Sequence, residues 1–209
     1  YLSNCLYKTK KYKQSLKYSE ELLSGMKEYD CFLHDKYLFY YYNILVLNYA
    51  KTDKKKALDY LNKASRSEVI KKLPSYNAFI YLNRSLIYYY EDNYKESQKN
   101  IARLIMQEDF LLLDKSFQLK ILVTDLMIRM LVSNKNLNDK ITSINKNYKS
   151  LLLEENYIRE NKMIDLIFKK IGDGDVVDNK EDLLSSMSDS DSEDIDIISY
   201  NIWIKENIK

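Results

Sequence analysis

Residues 92–104 read Asp-Asn-Tyr-Lys-Glu-Ser-Gln-Lys-Asn-Ile-Ala-Arg-Leu, and this stretch decides the fold. After a short polar turn, Tyr94, Ser97, Ile101 and Leu104 follow one another at intervals of three and four residues. That spacing places them on one stripe of an α-helix, with polar residues on the other faces. A small residue within the stripe lets a second helix lie close to the first. The stretch therefore predicts the second helix of a tightly packed helical hairpin.

The same order of small and apolar residues occurs twice more upstream. Ser15, Ser19 and Leu22 form the first copy, Ala57, Leu61 and Ala64 the second, and Ser97, Ile101 and Leu104 the third. The copies are separated by 42 and 40 residues. A nearly constant period of about 40 residues is typical of proteins built from stacked helical repeats.

The repeated element resembles the second helix of the tetratricopeptide repeat family, most clearly in residues 92–97 and 54–60. In that family a Tyr precedes the small residue by three positions, as Tyr12 and Tyr94 do in this chain. The resemblance implies an all-α fold in which antiparallel hairpins stack as a TPR-like α-solenoid over residues 1–171. It also implies that the chain binds proteins or peptides. An irregular helical bundle without true repeats is the alternative.

Periodicity and turn residues predict a series of helices joined by short polar connections, which would make neighbouring helices antiparallel. Asp53 and Asp114 are expected to cap helix starts, and Pro74 is expected to stop a helix. The predicted helices cover residues 10–27, 33–50, 54–71, 76–91, 94–108, 115–132, 137–156 and 157–171.

The composition offers little material for catalysis. Three glycines cannot supply a phosphate-binding or dinucleotide-binding loop, and His34 is the only histidine. Cys31 could share a helix face with His34, but a nucleophile pair also needs an orienting group and an oxyanion site. The segment from Gly172 to Leu184 lacks the ligand pattern of a calcium loop. We therefore expect a protein that is not an enzyme and that holds no cofactor or metal.

Two runs of tyrosine suggest where a partner could bind. Three consecutive residues span about 200° of a helix surface, so at least one ring of each run must point away from the core. In the tetratricopeptide family the first helices line the concave surface, and both runs fall on first helices. We expect these rings to contact a partner, although packing between repeats would also explain them. The runs are Tyr40, Tyr41 and Tyr42, and Tyr88, Tyr89 and Tyr90.

Charge is divided along the chain. Residues 1–170 carry a net charge of +10, whereas residues 171–209 carry −8. A basic body could bind nucleic acid, with the acidic tail acting as an electrostatic mimic that inhibits it. Only five arginines are present, however, and the lysines are distributed over many helices. Binding of nucleic acid is therefore the second hypothesis, after binding of protein.

The C-terminal region divides into two parts. Residues 172–194 are acidic and rich in serine, which predicts a flexible linker. Residues 195–209 are apolar and include Trp203, the only tryptophan. We expect this segment either to cover the end of the helical array in the same molecule or to bind another protein. The tether is long enough for the first arrangement.

The sequence also carries expectations about location. No apolar run reaches the ~20 residues that a membrane span requires. Cys5 and Cys31 are expected to be free thiols in a reducing, cytoplasmic environment. The chain begins at Tyr1 rather than Met, which suggests that a longer protein contains it.

Overall fold

A computed structural model describes residues 1–28, 34–133, 135–173, 184–185 and 196–208. The described elements are all helical, which confirms the predicted all-α class. None of the described helices combines the length and apolarity that crossing a bilayer would demand. The α-helices are α1 (Leu2–Lys8), α2 (Tyr12–Glu28), α3 (His34–Thr52), α4 (Lys54–Arg66), α5 (Glu68–Lys71), α6 (Asn83–Tyr89), α7 (Tyr94–Ile105), α8 (Lys115–Val132), α9 (Leu137–Asn147), α10 (Lys149–Leu152), α11 (Ile158–Asp173) and α12 (Tyr200–Asn207).

The chain forms two compact units, unit 1 (Tyr1–Asp109) and unit 2 (Phe110–Lys209). Unit 1 contains three helical hairpins, α1 with α2, α3 with α4, and α6 with α7. Within it, α2 packs against α3 and α4 packs against α6. The first helices also meet, since α1 contacts α3 and α3 contacts α6. Each hairpin therefore touches the next through both of its helices.

The two helices of a hairpin approach one another at small side chains. In the third hairpin the Ser85 hydroxyl donates to the Ser97 carbonyl at 2.9 Å, and the Ser97 hydroxyl donates to the Ser85 carbonyl at 2.8 Å. In the first hairpin Ser15 donates to the carbonyl of Ser3 at 2.7 Å. The contacting residues are 12 positions apart in both cases. A buried hydroxyl that reaches a backbone carbonyl in this way is satisfied without separating the helices.

In the second hairpin an alanine, Ala57, occupies the position that Ser15 and Ser97 occupy in the other two. Ala57 and Ala64 on α4 are both fully buried, as the repeat alignment predicts. They belong to a core cluster that also contains Val46, Leu61, Ile70, Phe79, Ile80 and Ile87. Asn48 of α3 donates to the Ser15 hydroxyl at 3.0 Å and so links this hairpin to the first.

Polar side chains fix the starts of several helices. Asp53 accepts from the backbone N–H of Lys56 at 3.1 Å, and Asp114 accepts from the N–H of Ser116 at 2.9 Å. Both caps were predicted from the sequence, and such contacts satisfy N–H groups that have no partner within the helix.

The structure divides two helices that the sequence predicts as continuous. The predicted helix over residues 54–71 breaks at Ser67, whose hydroxyl accepts from the N–H of Ile70 at 3.4 Å and starts α5. The predicted helix over residues 137–156 breaks at Tyr148, which leaves helical geometry and donates its hydroxyl to Gln118 at 2.6 Å. In both places a local or tertiary hydrogen bond competes with the helical ladder.

Two further differences concern the helices of unit 1. The helix α1 lies before the first predicted one and pairs with α2. A π-helical turn, Ala78–Leu82, precedes α6 where an ordinary α-helix was predicted. The side chain of Asn83 donates to the Phe79 carbonyl at 2.8 Å and satisfies an acceptor at the widened turn.

Unit 2 is organised by α8, which packs against α9 and α11. The buried residues of α8 lie on almost every face of the helix, as expected of a helix in a core. They are Gln118, Leu119, Ile121, Val123, Thr124, Asp125, Leu126, Met127 and Ile128. The carboxylate of Asp125 is paired with Arg129 at 2.8 Å and with Lys140 of α9 at 2.9 Å.

Much of the predicted flexible linker lies outside the described residues. Within it the structure describes only residues 172–173, which belong to α11, and residues 184–185. Cys31 and Ile195 also fall outside the described residues.

We predict that Ala57→Leu lowers the free energy of unfolding by about 1–3 kcal/mol, because a larger side chain cannot fit between α3 and α4 without displacing one of them. Urea denaturation followed by circular dichroism measures the change. Lys55→Leu is the matched control, since Lys55 is exposed on the same helix. Equal midpoints for the two variants would contradict the close helix contact.

Candidate interaction surfaces

Four tyrosines gather on the second hairpin of unit 1. The rings of Tyr49 on α3 and Tyr60 on α4 are stacked, with centroids 5.4 Å apart and planes inclined by 7°. Tyr41 and Tyr42 meet edge to face at 5.5 Å. Aromatic pairs with such geometry add about 0.5–1.5 kcal/mol to the stability that burial provides. The rings are therefore held in defined positions.

These rings are half-buried. Tyr42, Tyr49 and Tyr60 pack against the core cluster of the second hairpin, and part of each side chain remains accessible to solvent. A tyrosine in this position offers a rigid apolar surface with a polar tip, which suits it to a protein interface.

Lysine ammonium groups lie over two of the rings. Lys56 Nζ is 5.5 Å from the centroid of Tyr49, and Lys63 Nζ is 4.8 Å from the centroid of Tyr60. Lys56 also lies 3.7 Å from a carboxylate oxygen of Asp53. We call the group formed by Tyr41, Tyr42, Tyr49, Tyr60, Lys56 and Lys63 the tyrosine–lysine surface.

Three tyrosine hydroxyls of this surface, those of Tyr41, Tyr42 and Tyr49, are hydrogen-bond donors at neutral pH. Burial raises the pKa of Tyr41, Tyr42 and Tyr49 above the ordinary value for tyrosine, and the neighbouring phenol of Tyr60 adds to each increase. The carboxylate of Glu20 raises the pKa of Tyr41 and Tyr49 further. The phenols therefore keep their protons.

The second tyrosine run has a different environment. Tyr89 is buried, and its ring contacts Tyr90 and Tyr94 with centroids 5.4 and 5.7 Å away. Lys51 Nζ lies 4.4 Å from the centroid of Tyr90, and Lys54 donates to the Tyr90 carbonyl. These contacts join the turn between α3 and α4 to the end of α6.

The remaining members of the two runs differ in exposure. Tyr40 is exposed and lies beside Phe39, with ring centroids 5.9 Å apart. Tyr88 is half-buried. The structure therefore places Tyr41 and Tyr42 in the tyrosine–lysine surface, whereas Tyr89 and Tyr90 pack at the end of α6.

Sequence reasoning did not single out Tyr49 or Tyr60. A signal for Tyr49 was present, because it follows Tyr41 by eight residues and so shares its helix face. Tyr60 sits on a different helix, and only the pairing of α3 with α4 brings it against Tyr49.

Trp203 is fully buried in unit 2. Tyr200, Ile204 and Ile208 of the same C-terminal segment are also buried. A partner could contact the Trp203 ring only after this segment had moved. No hydrogen-bond acceptor for its indole N–H is found among the described residues, and such a buried donor costs roughly 1–3 kcal/mol.

A buried ion pair anchors the C-terminal segment. Arg159 of α11 lies 2.7 Å from Asp196, and the same carboxylate oxygen accepts from the N–H of Tyr200 at 3.2 Å. The guanidinium carbon of Arg159 is 5.4 Å from the centroid of the Tyr200 ring. Ser199 caps α12 by accepting from the N–H of Ile202 at 3.4 Å. One arginine thus contacts both the ion-pair partner and an aromatic ring of this segment.

Two carboxyl groups near this anchor are affected by their surroundings. Burial raises the pKa of Glu160 above its ordinary value, and nearby Lys120 and Arg159 offset only part of the increase. Burial also raises the pKa of Asp196, against the hydrogen bond from Tyr200 and the charge of Arg159. Ionising these two carboxyl groups inside unit 2 therefore costs more free energy than ionising them in water.

Among the described residues, no three His, Cys, Asp or Glu side chains are placed to hold a metal ion. His34 stands at the start of α3, with Nδ1 3.5 Å from a carboxylate oxygen of Asp35. No family model matches the chain, and comparison with curated proteins and with solved structures likewise found no similar protein.

Trp203 provides a spectroscopic prediction. Because its ring is fully buried, we expect blue-shifted emission and strong protection from acrylamide in the monomeric chain. Arg159→Met should shift the emission to longer wavelength by weakening the anchor of the segment. Red-shifted, freely quenched emission from the unaltered chain would show that the segment is undocked in solution.

Glu160→Gln should raise the free energy of unfolding at pH 7. A carboxyl group whose pKa is raised on folding makes the folded state less stable as the pH increases toward that raised pKa. The uncharged amide of glutamine has no such pH dependence. Urea titrations between pH 4 and pH 7 should show the difference growing with pH. Glu155→Gln is the control, because Glu155 is exposed in the same unit. A gap that stays constant over this range would show that Glu160 is not the group responsible.

Proposed function

We propose that the chain is a scaffold, not an enzyme, and that it binds a protein or peptide through unit 1. The observation that carries this proposal is the tyrosine–lysine surface. Its rings are held by stacking and by contacts with the core, and they still reach solvent. Rigid aromatic side chains lose little conformational entropy when a partner binds, which is why they are common at interfaces.

The helix arrangement supports a TPR-like architecture for unit 1. Three hairpins follow one another, each packed on the next, with small-residue contacts that recur about every 40 residues. Arrays of this kind expose long helix faces on which binding sites form. On this basis we propose the solenoid description for unit 1, together with a scaffold or regulatory role.

Nucleic-acid binding is the second candidate, favoured by one observation. Unit 1 carries 19 lysines and arginines and 13 aspartates and glutamates, a net charge of +6. Positive charge combined with aromatic rings is also a feature of proteins that bind single-stranded nucleic acid.

A peptide-display selection on the full chain tests the leading proposal. We expect a random 12-residue library to yield a consensus that binds the wild-type protein and loses at least tenfold in affinity with Tyr41→Ala/Tyr60→Ala. Each ring removed from an interface costs on the order of 1 kcal/mol or more. Circular dichroism and thermal melting of the variant establish that unit 1 is folded at the assay temperature.

Tyr18→Ala is the matched control for this selection. Tyr18 is an exposed ring on α2 in the same unit, and none of the described ring contacts involves it. Peptides that bind Tyr41→Ala/Tyr60→Ala as tightly as wild type would place the binding site elsewhere. Failure to select any consensus would argue against a peptide-binding function.

A further inference from the structure

The tyrosine–lysine surface carries two ammonium groups, and only that of Lys56 has an ion-pair partner among the described residues. Lys63 contacts the ring of Tyr60, and Lys51 contacts the ring of Tyr90. Among the described residues, neither ammonium group has a carboxylate within ion-pair distance. Lys56 has Asp53 at 3.7 Å, an exposed pair of the kind that contributes between zero and about 1 kcal/mol.

The ring contacts restrict these lysines. An ammonium group over an aromatic face is attracted by about 0.5–1 kcal/mol at an exposed site. Lys56 and Lys63 are thereby biased toward defined positions, although their side chains remain exposed. When a partner binds, these lysines therefore lose less side-chain entropy than freely rotating lysines would.

The phenols complement the lysines. Burial raises the pKa of Tyr41 and Tyr49, and their hydroxyls can donate hydrogen bonds. A surface that presents ammonium groups and phenolic donors matches a ligand that is rich in carboxylate oxygens.

We propose that the partner of the tyrosine–lysine surface is an acidic, extended segment of another protein. Lys56 and Lys63 are seven residues apart on α4, which corresponds to about 10.5 Å along the helix axis. In the extended polyproline II conformation, which has three residues per turn, carboxylates three residues apart lie on the same side of the chain and are separated by about 9 Å. An acidic residue at every third position would therefore pair with both lysines. This inference rests on the proposed scaffold function and assigns its partner class.

The stacking of the rings favours a protein partner over nucleic acid. A base that binds by stacking needs an open ring face. Tyr49 and Tyr60 cover one face of each other, with their planes nearly parallel, and lysines lie over both rings. A base would have to displace these groups, whereas a carboxylate would approach the ammonium groups directly.

Fluorescence polarisation on the full chain tests the proposal, with fluorescein-labelled deca-glutamate and fluorescein-labelled deoxythymidine decamer as probes. We expect deca-glutamate to bind more tightly than the DNA probe at 0.1 M salt. Lys56→Gln/Lys63→Gln should weaken deca-glutamate binding about fivefold, and Lys56→Arg/Lys63→Arg should restore it. The substituted side chains are exposed, so the fold should be retained, as circular dichroism can verify.

Lys95→Gln/Lys99→Gln is the matched control, because it removes the same charge from exposed positions on α7 of the same unit. It should change the affinity for deca-glutamate less than twofold. Equal losses in the two double variants would overturn the proposal in favour of unspecific attraction to net charge. Tighter binding of the DNA probe, with the same dependence on Lys56 and Lys63, would overturn it in favour of nucleic acid.

Absence of deca-glutamate binding would overturn the acidic-partner assignment alone. The peptide selection would still test the scaffold proposal. A selected consensus that is not acidic, but whose binding depends on Tyr41 and Tyr60, would support the site and contradict the acidic partner. The two proposals can therefore fail separately.

Discussion

The structure of unit 1 depends on the close approach of two helices at small side chains. Where Ser85 faces Ser97, each hydroxyl donates to the backbone of the opposite helix, and no buried polar group is left unsatisfied at this contact. Ala57, at the corresponding position of the second hairpin, is fully buried and adds no polar atom to the interior. A larger residue at either place would separate the helices and open space in a close-packed core. The contacts across the first and third hairpins share a 12-residue spacing, and this close approach sets the register of the paired helices.

The tyrosine–lysine surface is a consequence of that register. Tyr49 meets Tyr60 because α3 and α4 lie close enough for rings on opposite helices to stack at 5.4 Å. The lysines follow from the same geometry, since Lys56 belongs to α4 and reaches a ring on α3, whereas Lys63 lies over a ring of its own helix. Core packing on one side and solvent on the other make these rings both rigid and accessible.

Unit 2 uses charge differently, in its interior. Asp125 is paired with two cations, which is the arrangement that makes a buried carboxylate tolerable. Glu160 and Asp196 are less well compensated, since burial raises the pKa of both. The ion pair between Arg159 and Asp196 fixes where the C-terminal segment lies, while the apolar burial of Trp203 and Ile204 supplies the main stabilisation. The attachment of this segment combines a strong apolar contribution with an electrostatic cost.

The sequence by itself determined the helical class, the small-residue repeat and the helix caps at Asp53 and Asp114, because periodicity and capping are local properties of the chain. The run of three tyrosines also predicted an outward-facing ring, and Tyr41 is half-buried in the structure. Only the tertiary structure decided that Tyr60 faces Tyr49, that Tyr148 interrupts a helix in order to reach Gln118, and that Arg159 pairs with Asp196. These contacts join residues 11, 30 and 37 positions apart on different elements. A local sequence pattern does not show which distant residues come into contact, because that depends on how the helices pack.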